Sequence, residues 1–180
     1  MRYAVLLRGV NVGGRNKIAM ADLRRILTEL GYADVRTHLQ SGNAVVSSEL
    51  PPDRLAAEIG QALQEQTGLA CAVLVRTGAE LTALLARHPL GQEPDNGSRY
   101  FVAFLSEVPD PAAAGKVDGL ESGPDRAWVQ GQEAFLWCPN GAADTKLTNT
   151  SLEKRLGVTA TARNWNTVRK LAELTADQPG

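Results

Sequence analysis

The chain has 180 residues, with 19 Lys and Arg against 20 Asp and Glu, a formal net charge of −1. That balance excludes a chain-wide surface for polyphosphate, because nucleic-acid affinity rests on Lys and Arg neutralising phosphates and would need a local basic patch here. A chain this long buries roughly 70% of its unfolded surface, enough for one domain or two small ones without covalent staples.

The two cysteines, Cys71 and Cys138, sit in no CxxC or metal-ligand spacing, and free thiols in a reducing compartment are expected. The opening Met1 to Arg8 has one early cation and a run of five apolar residues, too short for a signal-peptide core. No segment approaches the ~18 apolar residues of a membrane span. The expectation is a cytoplasmic protein with no membrane partner.

Tyr3 to Leu7 reads as a buried strand, followed by a Gly- and Asn-rich loop from Gly9 to Asn16. Leu23, Ile26, Leu27 and Leu30 fall on one helical face, with Gly31 placed to stop the helix. Val35 to Gln40 and Ala44 to Val46 flank Ser41-Gly42-Asn43, a hairpin pattern. Pro52 and Asp53 suit a helix start, Leu55, Ile59, Ala62 and Leu63 give its stripe, and Gly68 its end. Cys71 to Val75 is a fourth strand. The order β-α-β-β-α-β is the ferredoxin-like, split βαβ arrangement.

A helix is expected over Ala79 to Arg87. Residues 89–98, rich in Pro and Gly, read as a linker between an N-terminal subdomain, 1–88, and a C-terminal one, 99–180. The pattern then repeats. Tyr100 to Leu105 is a strand and Asp110 to Val117 a weak helix. Ala127 to Gln130 and Ala134 to Trp137 form a hairpin about Gly131-Gln132. Thr150-Ser151-Leu152-Glu153 fits a capping box. Val158 to Ala162 is β-rich, and Val168, Leu171, Ala172 and Leu174 mark a last helix. Val75-Arg76-Thr77 and Ala162-Arg163-Asn164 each lead from strand to helix through an Arg and a polar turn. The fold expectation is α+β: two tandem ferredoxin-like subdomains related by duplication.

Four polar segments are candidates for binding. In Arg8 to Lys17, Gly9, Gly13 and Gly14 would let backbone N–H groups approach a ligand, while Arg8, Arg15 and Lys17 supply positive charge; Asn11 and Asn16 add amides. That chemistry suits phosphate or carboxylate. The spacing departs from the P-loop, since Arg15-Asn16 follows Gly14 where Lys-Ser/Thr is required, and G-x-G-x-x-G is absent. A tight loop whose glycines take positive φ accounts for the same residues equally well.

Gln40, Ser41, Gly42 and Asn43 read as a hairpin turn ahead of any nucleophile, because no G-x-S-x-G elbow surrounds Ser41. If strand three lies between strands one and two, this turn and the Gly-rich loop lie side by side. Lys146, Thr148 and Asn149, and Arg163, Asn164, Trp165 and Asn166, should likewise share one end of the second half. Trp165 could stack a planar ligand with amides reading its edge, or pack beside a helix capped by Asn166 or Thr167. The two polar rims are expected to face a common pocket at the subdomain boundary. No H-E-x-x-H, paired Cys or carboxylate cluster appears, so no metal site is expected. No cofactor or oligomeric state is specified. His38 reads as a strand residue, and His88 as a complement to a helix dipole.

Leu6 to Gly14, Asn16-Lys17 and Met20 to Leu23 resemble the opening signature of the bacterial family of unknown function numbered 1697. Gln40 to Asn43, Lys146 to Asn149 and Thr161 to Thr167 resemble its later motifs, so that the likeness extends over nearly the whole chain. The resemblance implies two linked α+β subdomains and supplies no catalytic residues. Ala162 stands where the fourth motif is expected to carry Thr. The functional expectation is a protein that binds a small anionic or nucleotide-like ligand at these loops. A regulatory or scaffold protein without a catalytic site ranks second. A nucleic-acid module ranks third, given three each of Trp, Tyr and Phe and the near-neutral charge.

Overall fold

The computed structural model describes residues 1–176. It holds two antiparallel sheets and, among the described residues, six helices, a mixed α+β architecture. The chain divides into two compact units. One comprises residues 1–83 with the described residues from 171 on; the other is 84–170.

The first unit runs β1 (Arg2–Leu7), α1 (Met20–Glu29), β2 (Ala33–His38), β3 (Asn43–Ser47), α2 (Pro52–Thr67) and β4 (Val73–Thr77). Its strands lie in the order β2-β3-β1-β4, each antiparallel to its neighbours. Leu23, Ile26 and Leu27 of α1 and Leu55, Ile59 and Leu63 of α2 pack with Tyr3, Val5, Leu7, Ala44 and Val46. Burying each large side chain contributes about 2 kcal/mol. Ala4, Leu6, Val45 and Leu74, on the opposite face, are buried too. A strand covered on both sides has no polar face, which is why β1 is a continuous apolar run rather than an alternating one.

The second unit contains β5 (Tyr100–Leu105), α4 (Pro111–Gly115), β6 (Glu121–Ser122), β7 (Asp125–Gln130), β8 (Glu133–Trp137), α5 (Asn149–Leu156) and β9 (Ala160–Asn164). The sheet order is β6-β7-β8-β5-β9. Leu152 and Leu156 of α5 join Ala103, Leu105, Ala134 and Leu136 in its core. The two remaining helices, α3 (Gly78–Arg87) and α6 (Trp165–Thr175), each cross the division between units.

Residues 89–98, expected as a linker, fall within the second unit. The reason is their bonding: Trp165 N donates to Gly97 O at 3.1 Å, and the Trp165 indole Nε1 donates to Glu93 at 2.9 Å. Both closing strands end two residues later than their sequence suggests, because each continues through a buried arginine. Arg76 and Arg163 are 5% and 7% exposed. Each donates Nη1 to the carbonyl of its preceding residue, Val75 at 3.0 Å and Ala162 at 2.9 Å. The following residue in each case caps a helix. Thr77 Oγ1 accepts from Glu80 N at 3.1 Å while Glu80 accepts from Thr77 N; Asn164 Oδ1 accepts from Thr167 N at 3.0 Å. The last helix accordingly begins at Trp165.

The expected capping box at Thr150 is displaced. α5 starts two residues earlier, with Thr148 as its cap, accepting from Ser151 N at 3.1 Å. Glu153 turns away to accept from Ala160 N at 3.2 Å and ties the helix to β9. Thr148→Ala should therefore cost about 1 kcal/mol in urea unfolding, and Thr150→Ala less than about 0.5 kcal/mol.

Candidate functional site: a basic loop rim and a sheet-end cavity

The antiparallel order of the first sheet sends the exit of β1 and the β2–β3 turn to the same end, since Leu6 pairs with Asn43 and His38 with Asn43. The Gly-rich loop and the Gln40 turn are bonded together there. Asn11 Nδ2 donates to Ile18 O at 2.9 Å and to Gln40 O at 2.6 Å, and its Oδ1 accepts from Ile18 N at 2.9 Å. Asn16 Nδ2 donates to Gly9 O at 3.1 Å, and Asn11 N to Asn16 O at 3.1 Å. Asn43 Nδ2 closes the turn onto His38 O and Ser41 Oγ, each at 2.9 Å. Apart from the bond to Ser41 Oγ, these amides serve the loops' own backbone.

Gly13 and Gly14 have φ of 58° and 73°, and Val12 bridges Arg15 on either side of them. Two consecutive left-handed residues make a two-residue turn of type I′, which glycine favours. An anion-cradling nest instead alternates right- and left-handed residues. The glycines shape a small hairpin, and the charge is carried by its side chains. Arg15 and Lys17 are exposed and make no ion pair among the described residues; Arg8 is half-buried. No carboxylate occurs before Asp22, nor between Asp34 and Glu49. The rim is thus locally cationic on a chain of net charge −1.

Two residues of this rim escaped the sequence reading. Val12 is 64% exposed and Leu39 is 57% exposed, and Leu39 takes a φ of 60°. Left-handed backbone is uncommon for a large side chain. The signal available in the sequence was an apolar residue set directly before Gln40-Ser41-Gly42-Asn43.

In the second unit, the ends of β8 and β9 meet the start of β5, since Trp137 pairs with Tyr100 and Asn164 with Phe101. The Lys146 to Asn149 segment follows this end. Thr148 and Asn149 line a cavity of ≈ 230 Å³ with Thr145, Leu147, Ala162 and the sheet residues Phe101 and Leu136. Lys146, exposed, lines a separate hollow of ≈ 160 Å³ that also has Asp125 and Asp144.

The Arg163 to Asn166 segment does not converge on this cavity. Arg163 donates to Thr161 Oγ1 at 2.7 Å, on the other face of the sheet from Ala162, and burial pushes its guanidinium down to about 10. Trp165, read from the sequence either as a stacking platform or as a residue packed beside the helix, is 1% exposed, which favours packing. Its ring lies 4.5 Å from His88 and 5.1 Å from Tyr100, centroid to centroid. An indole packed this way stabilises the unit and offers no free face. His88, directly after α3, joins that cluster, with Tyr100 Oη 3.4 Å from its Nδ1. Asn164 is a cap, and Asn166, though exposed, lies so tightly against Gly97 that a Cβ there would collide with it. Among the described residues no cluster of three His, Cys, Asp or Glu could hold a metal, and no helix is long and apolar enough to cross a membrane.

The family described as protein of unknown function (DUF1697) matches residues 1–135. The chain belongs to that family. The matched stretch contains the whole basic rim, whereas the segments 146–149 and 161–167 lie beyond it. Among solved structures, the conserved bacterial protein SP0830 from Streptococcus pneumoniae is similar in fold. It has 23% identity and a TM-score of 0.77, with 97% of this chain and 98% of that chain covered. No curated protein matches.

The rim's rigidity rests on Gly42 more than on Gly13. A Cβ at Gly42, where φ is 85°, would fall 2.5 Å from Val10 Cγ2 and 2.9 Å from Leu7 Cβ, while Gly13 has open space. Gly42→Ala should lose about 2–4 kcal/mol in urea unfolding, and Gly13→Ala about 1 kcal/mol. In the second unit, burial holds the His88 pKa below its ordinary 6.5. The unfolded chain then binds the proton more readily, so stability is undiminished above pH 6.5 and falls as the pH drops below it. His88→Phe should flatten that part of the unfolding free energy against pH.

Proposed function

We propose that the chain binds a small anionic, nucleotide-like ligand at the paired loops of its first unit. The observation that carries this reading is charge placement. Arg8, Arg15 and Lys17 stand on one hairpin loop, Arg36 lies on β2 near the adjoining turn, and no carboxylate occurs over residues 1–21 or 35–48. Asn11 and Asn16 hold the loop backbone, so the cations are presented from a scaffold that is already ordered.

Magnitudes favour a small ligand. An exposed ion pair contributes about 0–1 kcal/mol, so a few such contacts give modest affinity that declines with salt. A long nucleic acid binds through many phosphate contacts, each releasing counterions, and this rim is too short for that. Val12 and Leu39 add apolar surface at the rim, which suits a ligand that carries a base or other planar group beside its charge.

The same reading extends to the origin of the fold. The two halves are tandem ferredoxin-like units related by duplication. Support comes from the strand order β2-β3-β1-β4 in one sheet and β7-β8-β5-β9 within the other. Further support comes from Arg76 and Arg163, which occupy the same position of the closing strand, make the same bond to the preceding carbonyl, and are each followed by a helix cap.

Titrating inorganic pyrophosphate and AMP into isotopically labelled protein at low ionic strength tests the binding site. Saturable amide shifts should appear in residues 8–19 and 39–43 and weaken with added salt. The double variant Arg15→Ala, Lys17→Ala should lower affinity about tenfold, the loss of two exposed contacts. Absence of saturable shifts, or unchanged affinity in the double variant, would remove the proposal.

A further inference from the structure

Asp125 is a buried carboxylate for which the second unit supplies no counter-charge. Its place follows from the strand. Ser122 pairs with Asp125 across the Gly123-Pro124 turn, where Gly123 takes a φ of 60°. Successive residues of β7 alternate in facing, so Asp125 and Ala127 lie inward and Arg126 outward. Ala127 belongs to the core of the unit, and Asp125 is 6% exposed.

Asp125 and Glu133 are the buried carboxylates among the described residues. Glu133 is paired with Arg87. The Asp125 side chain makes no hydrogen bond or ion pair among the described residues. Burying a carboxylate without a partner is costly, and Asp is seldom found so. Its oxygens are nevertheless within reach. Asp125 lines the hollow of ≈ 160 Å³, and the one unpartnered side-chain oxygen sealed from water lies elsewhere, on Asn149.

The rest of the lining sets the charge. Asp144 and Lys146, both exposed, bring one charge of each sign, and Ser122 and Asn140 add neutral polar groups. Neither Asp144 nor Lys146 is in an ion pair among the described residues. The lining therefore carries a net charge of −1 from Asp125, Asp144 and Lys146, which one monovalent cation balances. A divalent ion fits worse, because it would reverse that charge and no group of three His, Cys, Asp or Glu is there to hold it. The hollow is several times the ~30 Å³ of one water, which leaves room for an organic cation. An ammonium has three donors, and the two carboxylates and the Asn140 carboxamide offer acceptors for them.

From these observations we propose that this hollow binds a small primary ammonium, an amine with a short apolar chain, through a charge-assisted hydrogen bond to Asp125. Such bonds are stronger than neutral ones, and the buried carboxylate gains the counter-charge that the chain itself withholds. Pro124 and the two glycines of the lining, Gly123 and Gly141, leave apolar surface for the chain of the ligand. This site stands apart from the basic rim, and neither depends on the other.

Propylammonium chloride and 1-propanol form a matched pair of probes, similar in size and differing in the charge. Potassium chloride at the same ionic strength reads a bare monovalent ion. Affinities are measured from amide shifts in labelled full-length protein. Propylammonium should shift residues 122–126 and 140–146 saturably, and propanol and potassium should not. Asp125→Asn should lower the propylammonium affinity at least about tenfold, the loss of one charge-assisted hydrogen bond. The same variant should unfold at an equal or higher urea midpoint, because it removes a buried charge that nothing in the folded chain pairs. Lys146→Met, which removes the like charge from the lining, should raise the affinity about threefold. Four results would each overturn the proposal: no saturable shift with propylammonium, equal shifts with propanol or potassium, unchanged affinity in Asp125→Asn, or an Asp125→Asn protein that is less stable or does not fold.

Discussion

Asn11 adopts a left-handed φ of 54° and uses its carboxamide on three backbone groups, Ile18 N, Ile18 O and Gln40 O. Two of these belong to the far end of its own loop, and the third to a turn 29 residues on. Ordering a loop of this length costs about 2 kcal/mol in closure entropy. Three hydrogen bonds at about 1 kcal/mol each offset that cost. The basic side chains of the rim gain fixed positions from this clip, and the small hairpin at Gly13-Gly14 gains a base to stand on. A rim of exposed cations on an unclipped loop would have to be ordered anew by each ligand, at the ligand's expense.

A second constraint recurs in both sheets. Arg76 and Arg163 lie within the sheets they close, where a guanidinium ordinarily would not be placed. Burial depresses the Arg163 pKa to about 10, which marks the strength of the desolvation. Bonds to strand carbonyls and, for Arg163, to Thr161 oppose it. Each arginine extends its strand by the residues that deliver Thr77 or Asn164 to the start of a helix. In the second unit this also sets Trp165 down in the His88 and Tyr100 cluster, where Glu93 receives its indole N–H.

Local periodicity made much of this legible. The stripes of α1 and α2, the hairpin about Gly42 and the glycine stop at Gly68 follow from spacing alone. Strand order then placed the Gly-rich loop beside the Gln40 turn before any side chain was known. What sequence reasoning missed depends on partners distant in the chain. Trp165 reads as a ligand platform or as a packed residue, and the choice is made only by Glu93, 72 residues away, which holds it. Arg163 reads as the polar end of a strand because nothing nearby reveals that the sheet face around it is buried. The cap of α5 moved from Thr150 to Thr148 because Glu153 is drawn off to Ala160, a tertiary bond that overrides the local pattern.

The preorganised rim is the claim that most of the functional account depends on. Asn11→Ala leaves Arg8, Arg15 and Lys17 in place and removes the clip alone. Pyrophosphate affinity measured for this variant against the wild type, both folded and at the same ionic strength, separates charge from order. The account predicts a markedly weaker variant whose loop amides, Ile18 foremost, exchange faster with solvent. Equal affinity in the two proteins would contradict it, showing that the cations act without the scaffold beneath them.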